Sequence, residues 1–283
     1  MNTQILPTLR LLNSSTVVAI SAGLRLHIAF LLAGLTVRLT EYAAFALLMY
    51  ATYTLDRSMD CKEDALNKTE LNGAYRKAGL IACLITFLAG TILLWHDGIY
   101  VAPFLPFVIG YLYSRGFRIG SFHLKLKGSL GMKNIIVGAT WAGTMALIVN
   151  QWCTSIQTVT IIFLFFGLKI FVTSSINDFK DVRGDISAGI RTLPAVLGEN
   201  LTKEVLIGML MGVYGLTACA IYLHVIRDEW VILVFSLIVT VAFLVVYSPS
   251  FEKSPTVLYR KMREFVISWE PVVSLGLRAI VPA

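Results

Sequence analysis

Charge is what this chain has least of: 14% of its 283 residues are Asp, Glu, Lys or Arg, where soluble domains carry about a quarter. With 57% hydrophobic residues and a mean hydropathy of +0.74, that shortage excludes an ordinary soluble domain and intrinsic disorder alike. Its four cysteines, Cys61, Cys83, Cys153 and Cys219, include no CxxC pair, so neither a zinc site nor a disulfide framework is expected. The opening MNTQILPTLRLLNSS lacks a basic segment leading into a short apolar core and a small-residue cleavage site. No cleaved signal is expected.

Long apolar runs, by contrast, are abundant: about 16–35, 41–55, 78–95, 99–113, 135–150, 156–176, 205–226 and 229–247, with a weaker ninth near 265–281 that carries Glu270, Pro271 and Arg278. A membrane-crossing helix takes roughly 20 residues, and continuous runs in place of ten-residue alternation exclude a β-barrel. The expected fold is an all-α integral membrane protein, about nine transmembrane helices in a single bundle with a central cavity, forming one domain over residues 1–283.

Basic residues fall on alternate connections. Five lie between runs two and three (Arg57, Lys62, Lys68, Arg76, Lys77) and five between runs four and five (Arg115, Arg118, Lys125, Lys127, Lys133). Lys180, Arg183, Arg191 and Lys203 follow run six, and Lys253, Arg260, Lys261 and Arg263 follow run eight, whereas the opposite side has Arg38 and Arg227 only. Positive-inside bias therefore predicts that the N-terminus and the even-numbered connections are cytoplasmic. The net charge of +7 is explained by topology, and no nucleic-acid partner is expected.

Six of the eight aspartates lie in two short windows, TYTLDRSMDCKEDALNK and SSINDFKDVRGDISAGIRTLPAVLG. In the first, Asp56, Asp60 and Asp64 recur every fourth residue; in the second, Asn177, Asp181 and Asp185 do the same, beside Asp178. On a helix each such step advances about 6 Å along one face, so each window is expected to form an acidic row at the cytoplasmic end of an even-numbered span. The two rows make a weak internal repeat and are expected to face each other across one cavity. Like charges four apart destabilise a helix, which calls for a cationic partner. Hard divalent ions suit these oxygens: Mg²⁺ takes one or two carboxylates together with phosphate oxygens and water.

The second window, NDFKDVRGD followed by AGIRTLPAVLG, resembles the NDxxDxxxD motif and following tail of the UbiA superfamily of intramembrane prenyltransferases. The first window matches through Asp60, Asp64, Ala65 and Asn67, with Asp56 at the usual Asn position; a register on Asp56 and Asp60 instead places Thr52 there. YSRGFRIGSFHLKLKGSLGMKN, residues 113–134, is similar to the family's tyrosine and basic loop ending in Lys-Asn. The likeness runs through nearly the whole chain in span order.

That resemblance implies Mg²⁺-dependent transfer of a prenyl group from its diphosphate to a lipophilic acceptor within the membrane, either a quinone-type aromatic or a lipid-linked glycerol phosphate. It implies Asp60, Asp64, Asp181 and Asp185 as metal ligands and catalytic residues, with Asn177 and Asp56 at the ends of the cluster. Arg118, Lys125, Lys127 and Lys133 would bind the diphosphate directly. Tyr113 either stabilises an allyl cation through its ring face or anchors the helix at the interface. Lys169, Arg25 and His27 stand inside apolar runs, where an ionisable residue is either a functional group facing inward or a satisfied helix contact. An intramembrane terpene cyclase of the same superfamily and a cation transporter are the competing functions.

Overall fold

A computed structural model describes residues 2–59, 74–115, 117–119, 122–124, 130–179, 182–187, 189–246 and 257–281. Each apolar run lies largely on a helix. These are α2 (Thr16–Leu32), α3 (Leu39–Ser58), α4 (Arg76–His96), α5 (Phe104–Arg115), α6 (Met132–Asn150), α7 (Ile156–Asp178), α9 (Leu193–Tyr222), α10 (Trp230–Val246) and α11 (Val257–Ile280). Two further helices are α1 (Asn2–Ser14) and α8 (Val182–Ser187). Among the described residues five helical stretches are long and apolar enough to cross a membrane: Ile5–Leu32, Arg76–His96, Met132–Asn150, Ile156–Asp178 and Leu193–Tyr222. The all-helical expectation holds for the bundle, with one short hairpin in a connection. Phe117–Ile119 (β1) and Phe122–Leu124 (β2) pair antiparallel, Phe117 opposite Leu124, a pairing that Phe117, Ile119 and Phe122 favour.

The core lies where α2, α3, α6 and α7 meet, filled by Phe30, Phe45, Met49, Met145, Phe165 and Phe166. Small residues set the helix spacing, as is usual between membrane helices. A Cβ at Gly138 on α6 would stand 2.5 Å from the Gly167 carbonyl oxygen of α7, so the two backbones touch there. Outward faces stay apolar: Leu80, Ile81, Leu84, Ile85, Leu88 and Ile92 of α4 are all exposed, a surface suited to lipid. Threonine hydroxyls return to the carbonyl one turn back, Thr140 to Ile136 at 2.6 Å and Thr217 to Val213 at 2.7 Å among them, which satisfies them without water.

α3 ends at Ser58, and Met59 after it is extended (ψ 134°); Asp60, Asp64 and Asp181 of the expected acidic rows lie outside the described residues. After α7, the Phe179 N–H turns back to the Ile176 carbonyl at 3.4 Å, and Asp185 stands on the separate α8.

α11, the weakest run by sequence, is a helix through Pro271. Two charges among its described side chains, Glu270 and Arg278, are paired. Glu270 accepts from Lys169 Nζ at 2.9 Å and lies 3.4 Å from Arg25 Nη2. Arg278 grips Glu229, at the start of α10, with two bonds of 2.5 and 2.7 Å.

Candidate functional site

A cavity of about 530 Å³ opens between α2, α3, α5, α6, α7 and α11. Its polar end gathers Asp56 and Arg57 from the last turn of α3, Lys133 from the first turn of α6, and Asn177 and Asp178 from the last turn of α7. Val17, Val18, Met49, Ile109, Ile136 and Ile170 form its apolar walls. Helix ends bring these groups together because the apolar runs stop there and the polar residues that follow need a solvated or paired position.

Lys133 and Asn134 hold the α7 end. Lys133 Nζ donates to Asp178 Oδ1 at 2.7 Å and lies 3.7 Å from Asp185 Oδ2; Asn134 Nδ2 donates to Asp178 Oδ2 at 2.6 Å, and Ser174 Oγ donates to Asn134 Oδ1 at 2.7 Å. Asp178 and Asp185 are 2% and 1% exposed. A buried carboxylate needs this much pairing, since an uncompensated charge costs several kcal/mol. The backbone adds a tie between the two connections: the Gly131 N–H donates to the Arg191 carbonyl at 3.0 Å.

Across the cavity, Arg57 Nη1 donates to Ser15 Oγ at 2.8 Å, and its guanidinium lies 5.5 Å from the Tyr53 ring centroid. Tyr53 meets Trp141 edge to face at 6.1 Å, and Trp141 meets Phe45 the same way at 5.9 Å. Both Tyr53 and Trp141 line the cavity. They supply π-faces below the polar end, a surface that attracts positive charge.

Of the residues picked out by sequence, Asp56, Asn177 and Lys133 share the polar end, and Asp185 is held next to Lys133. Asp60, Asp64, Asp181, Lys125 and Lys127 lie outside the described residues. Tyr113 falls in α5 and Arg118 in β1, with side chains outside the described part. His27 is a helix contact, its Nδ1 3.1 Å from Tyr42 Oη. Sequence reasoning gave no role to Arg57, Tyr53 or Trp141. Tyr53 and Arg57 sat within the first window, adjacent to Thr52 and Asp56; Trp141 carried no signal in its apolar run. Among the described residues no group of three His, Cys, Asp or Glu forms a ready metal cage. The donors present, carboxylate and amide oxygens of Asp56, Asn177, Asp178 and Asp185, are nonetheless the hard type that fits Mg²⁺.

A family model described as the UbiA prenyltransferase family matches residues 12–265. Solved structures share the fold. A UbiA homologue from Archaeoglobus fulgidus bound to GPP and Mg²⁺ superposes with a TM-score of 0.61 at 14% identity, covering 96% of this chain and 99% of that one. The same homologue bound to DMAPP and Mg²⁺ gives 0.60 at 13% identity, covering 97% and 99%. A digeranylgeranylglyceryl phosphate synthase gives 0.58 at 16% identity, covering 97% of each chain. No curated protein sequence matches the chain.

Proposed function

Because this chain belongs to the UbiA prenyltransferase family, we propose that it transfers a prenyl group from a polyprenyl diphosphate to a lipophilic acceptor inside the membrane, with Mg²⁺ as cofactor. The observation that carries the proposal is the cavity itself, in which Arg57, Lys133 and oxygen donors occupy one end and largely apolar walls extend from it. A diphosphate ester of an isoprenoid has the same division of polarity. Solved relatives bound to DMAPP or GPP with Mg²⁺ support it.

Asp60, Asp64, Asp181 and Asp185 are the residues that would hold the metal, with Asp56 and Asn177 at the ends of the cluster. Thr52 and Asp56 both line the cavity, one turn apart on α3, which supports a role for this face of the first window. Bound there, Mg²⁺ supplies neutralisation of the diphosphate's charge. Lys133 adds a charge-assisted bond to the same phosphates, joined by Arg118, Lys125 and Lys127 of the connecting loop. The C1–O bond of the prenyl diphosphate breaks with its electron pair leaving on the diphosphate, and C1 bonds to the acceptor's nucleophilic atom as that atom gives up its proton. Tyr53, Trp141 and Tyr113 shield the cationic carbon from water and face it with π-density. Nine spans, an N-terminus in the cytoplasm and active-site loops on the cytoplasmic side complete the reading.

The acceptor class is a quinone-type aromatic or a lipid-linked glycerol phosphate. Purified protein incubated with labelled geranylgeranyl diphosphate, Mg²⁺ and a panel of both classes tests it by mass spectrometry of the products. A prenylated acceptor is expected; a cyclic hydrocarbon formed without any acceptor would overturn transfer in favour of cyclisation.

A further inference from the structure

Three charged residues that the diphosphate chemistry leaves unused meet deep in the bundle: Arg25 on α2, Lys169 on α7 and Glu270 on α11. All are at most 4% exposed. Glu270 is shared between the two cations, at 2.9 Å from Lys169 Nζ and 3.4 Å from Arg25 Nη2, and Lys169 also donates to Ser236 Oγ, which is 2.6 Å from Tyr214 Oη. Two cations and one anion leave the cluster one positive charge in excess.

Arg25 is the member that reaches the cavity, together with Ser21, Ile267 and Ser268. Its guanidinium is fixed from three sides. Nε donates to Ser21 Oγ at 3.2 Å, and Nη2 donates to the Ile267 carbonyl at 3.1 Å. That carbonyl is available because Pro271, four residues on, has no N–H to return to it. Glu270 holds the same nitrogen electrostatically. Nη1 has no hydrogen-bond partner among the described residues and is out of contact with solvent.

An excess buried cation at the wall of a cavity is costly unless an anion offsets it. The diphosphate is assigned to the other end of the cavity. Lys169 stands eight residues before Asn177 on α7, about 12 Å deeper along the helix axis, while Asp56, Lys133 and Asn177 mark the diphosphate end. We infer that Arg25, aimed by Glu270 and Lys169, is a second anion-binding point that takes the anionic oxygen group of the acceptor. The inference rests on the transfer reading above. The acceptor's nucleophilic atom then lies toward Tyr53 and Trp141, between the two anion sites, with its charged group pointing away from the diphosphate. Glu270 and Lys169 are positioning residues that touch Arg25 and each other, not the acceptor. An aromatic carboxylate and a glycerol phosphate headgroup share the required chemistry.

Binding to the purified full chain in lipid nanodiscs, measured by titration calorimetry without Mg²⁺ or diphosphate, separates these cases. The probes are two matched pairs: 4-hydroxybenzoate with 4-hydroxybenzamide, and geranylgeranylglyceryl phosphate with geranylgeranylglycerol. In one pair the anion is expected to bind at least tenfold tighter than its neutral twin, and the pair that shows it identifies the headgroup. Arg25→Gln is expected to erase that preference while leaving Mg²⁺-dependent binding of geranyl thiodiphosphate unchanged. Should Arg25→Gln not fold, Lys169→Met keeps Arg25 in place, removes the excess charge and is expected to lose most of the preference. Absence of preference in both pairs for the native chain, or a preference that survives in the folded variant, overturns the inference. Failure of the native chain to bind geranyl thiodiphosphate with Mg²⁺ would instead strike the transfer reading, which the matched pairs do not depend on.

Discussion

Lys133, in the first turn of α6, donates a 2.7 Å hydrogen bond to Asp178, in the last turn of α7. The pair joins the basic loop to the second aspartate window, two segments that lie 45 positions apart and form one end of one cavity. Lys133→Met leaves the buried Asp178 carboxylate with Asn134 as its remaining close partner in this network. Breaking a buried pair costs about 3–5 kcal/mol, and the 20% exposure of the Lys133 side chain places this one at the lower end. Denaturant unfolding in detergent micelles should show that loss, and Mg²⁺-dependent binding of geranyl thiodiphosphate should weaken at least tenfold. Lys133→Arg, which keeps the charge, should recover most of the stability.

Contact between α6 and α7 sets this geometry. Gly138→Ala places a methyl 2.5 Å from the Gly167 carbonyl oxygen, and neither backbone can yield without parting the helices. Overpacking of this kind costs about 1–3 kcal/mol. Thermal unfolding should report it, and turnover should fall more than a surface Gly→Ala change would produce, because Lys133 lies less than two turns away on the same helix.

The buried cluster on α2, α7 and α11 predicts an order among its own substitutions. Glu270→Gln strands Arg25 and Lys169 as two buried cations, a loss of about 3–5 kcal/mol. Lys169→Met leaves the neutral Arg25–Glu270 pair and should cost less than half as much. Equal destabilisation of the two variants in denaturant titrations would contradict the charge count.

A second asymmetry lies at the far end of α11. Glu229 is 1% exposed, while the Arg278 side chain is 30% exposed. Arg278→Met abandons a buried carboxylate, with a loss near 3 kcal/mol, whereas Glu229→Gln leaves an arginine that water can reach and should cost about 1 kcal/mol. Unfolding midpoints of the two variants check the difference.

Much of this architecture was legible in the chain. All nine apolar runs fall largely on helices, since spanning length and hydropathy are local properties that a sequence displays directly. α8, the β1–β2 hairpin and the ends of α3 and α7 were not legible. The every-fourth-residue spacing of aspartates suggested rows along the helices, and Asp60, Asp64 and Asp181 of those rows lie outside the described residues. At the site, Asp56, Asn177 and Lys133 carried motif signals, and they do share the cavity's polar end. Asp178 was visible as a residue but not as the anchor of Lys133 and Asn134. Arg25 and Lys169 stood out as charges in apolar runs, yet their common partner Glu270 is 245 and 101 positions away. Such pairing comes from helix packing, and no local pattern encodes it.

The central claim is that the two aspartate windows form one metal-dependent diphosphate site. Diphosphate release from labelled geranylgeranyl diphosphate, with and without Mg²⁺, by the purified chain and by Asp56→Ala and Asp181→Ala, tests it most directly. Release should be abolished by chelation and should fall at least a hundredfold in either variant, about 2.7 kcal/mol of lost transition-state stabilisation. Undiminished release from either folded variant, or release that persists in chelator, would contradict it.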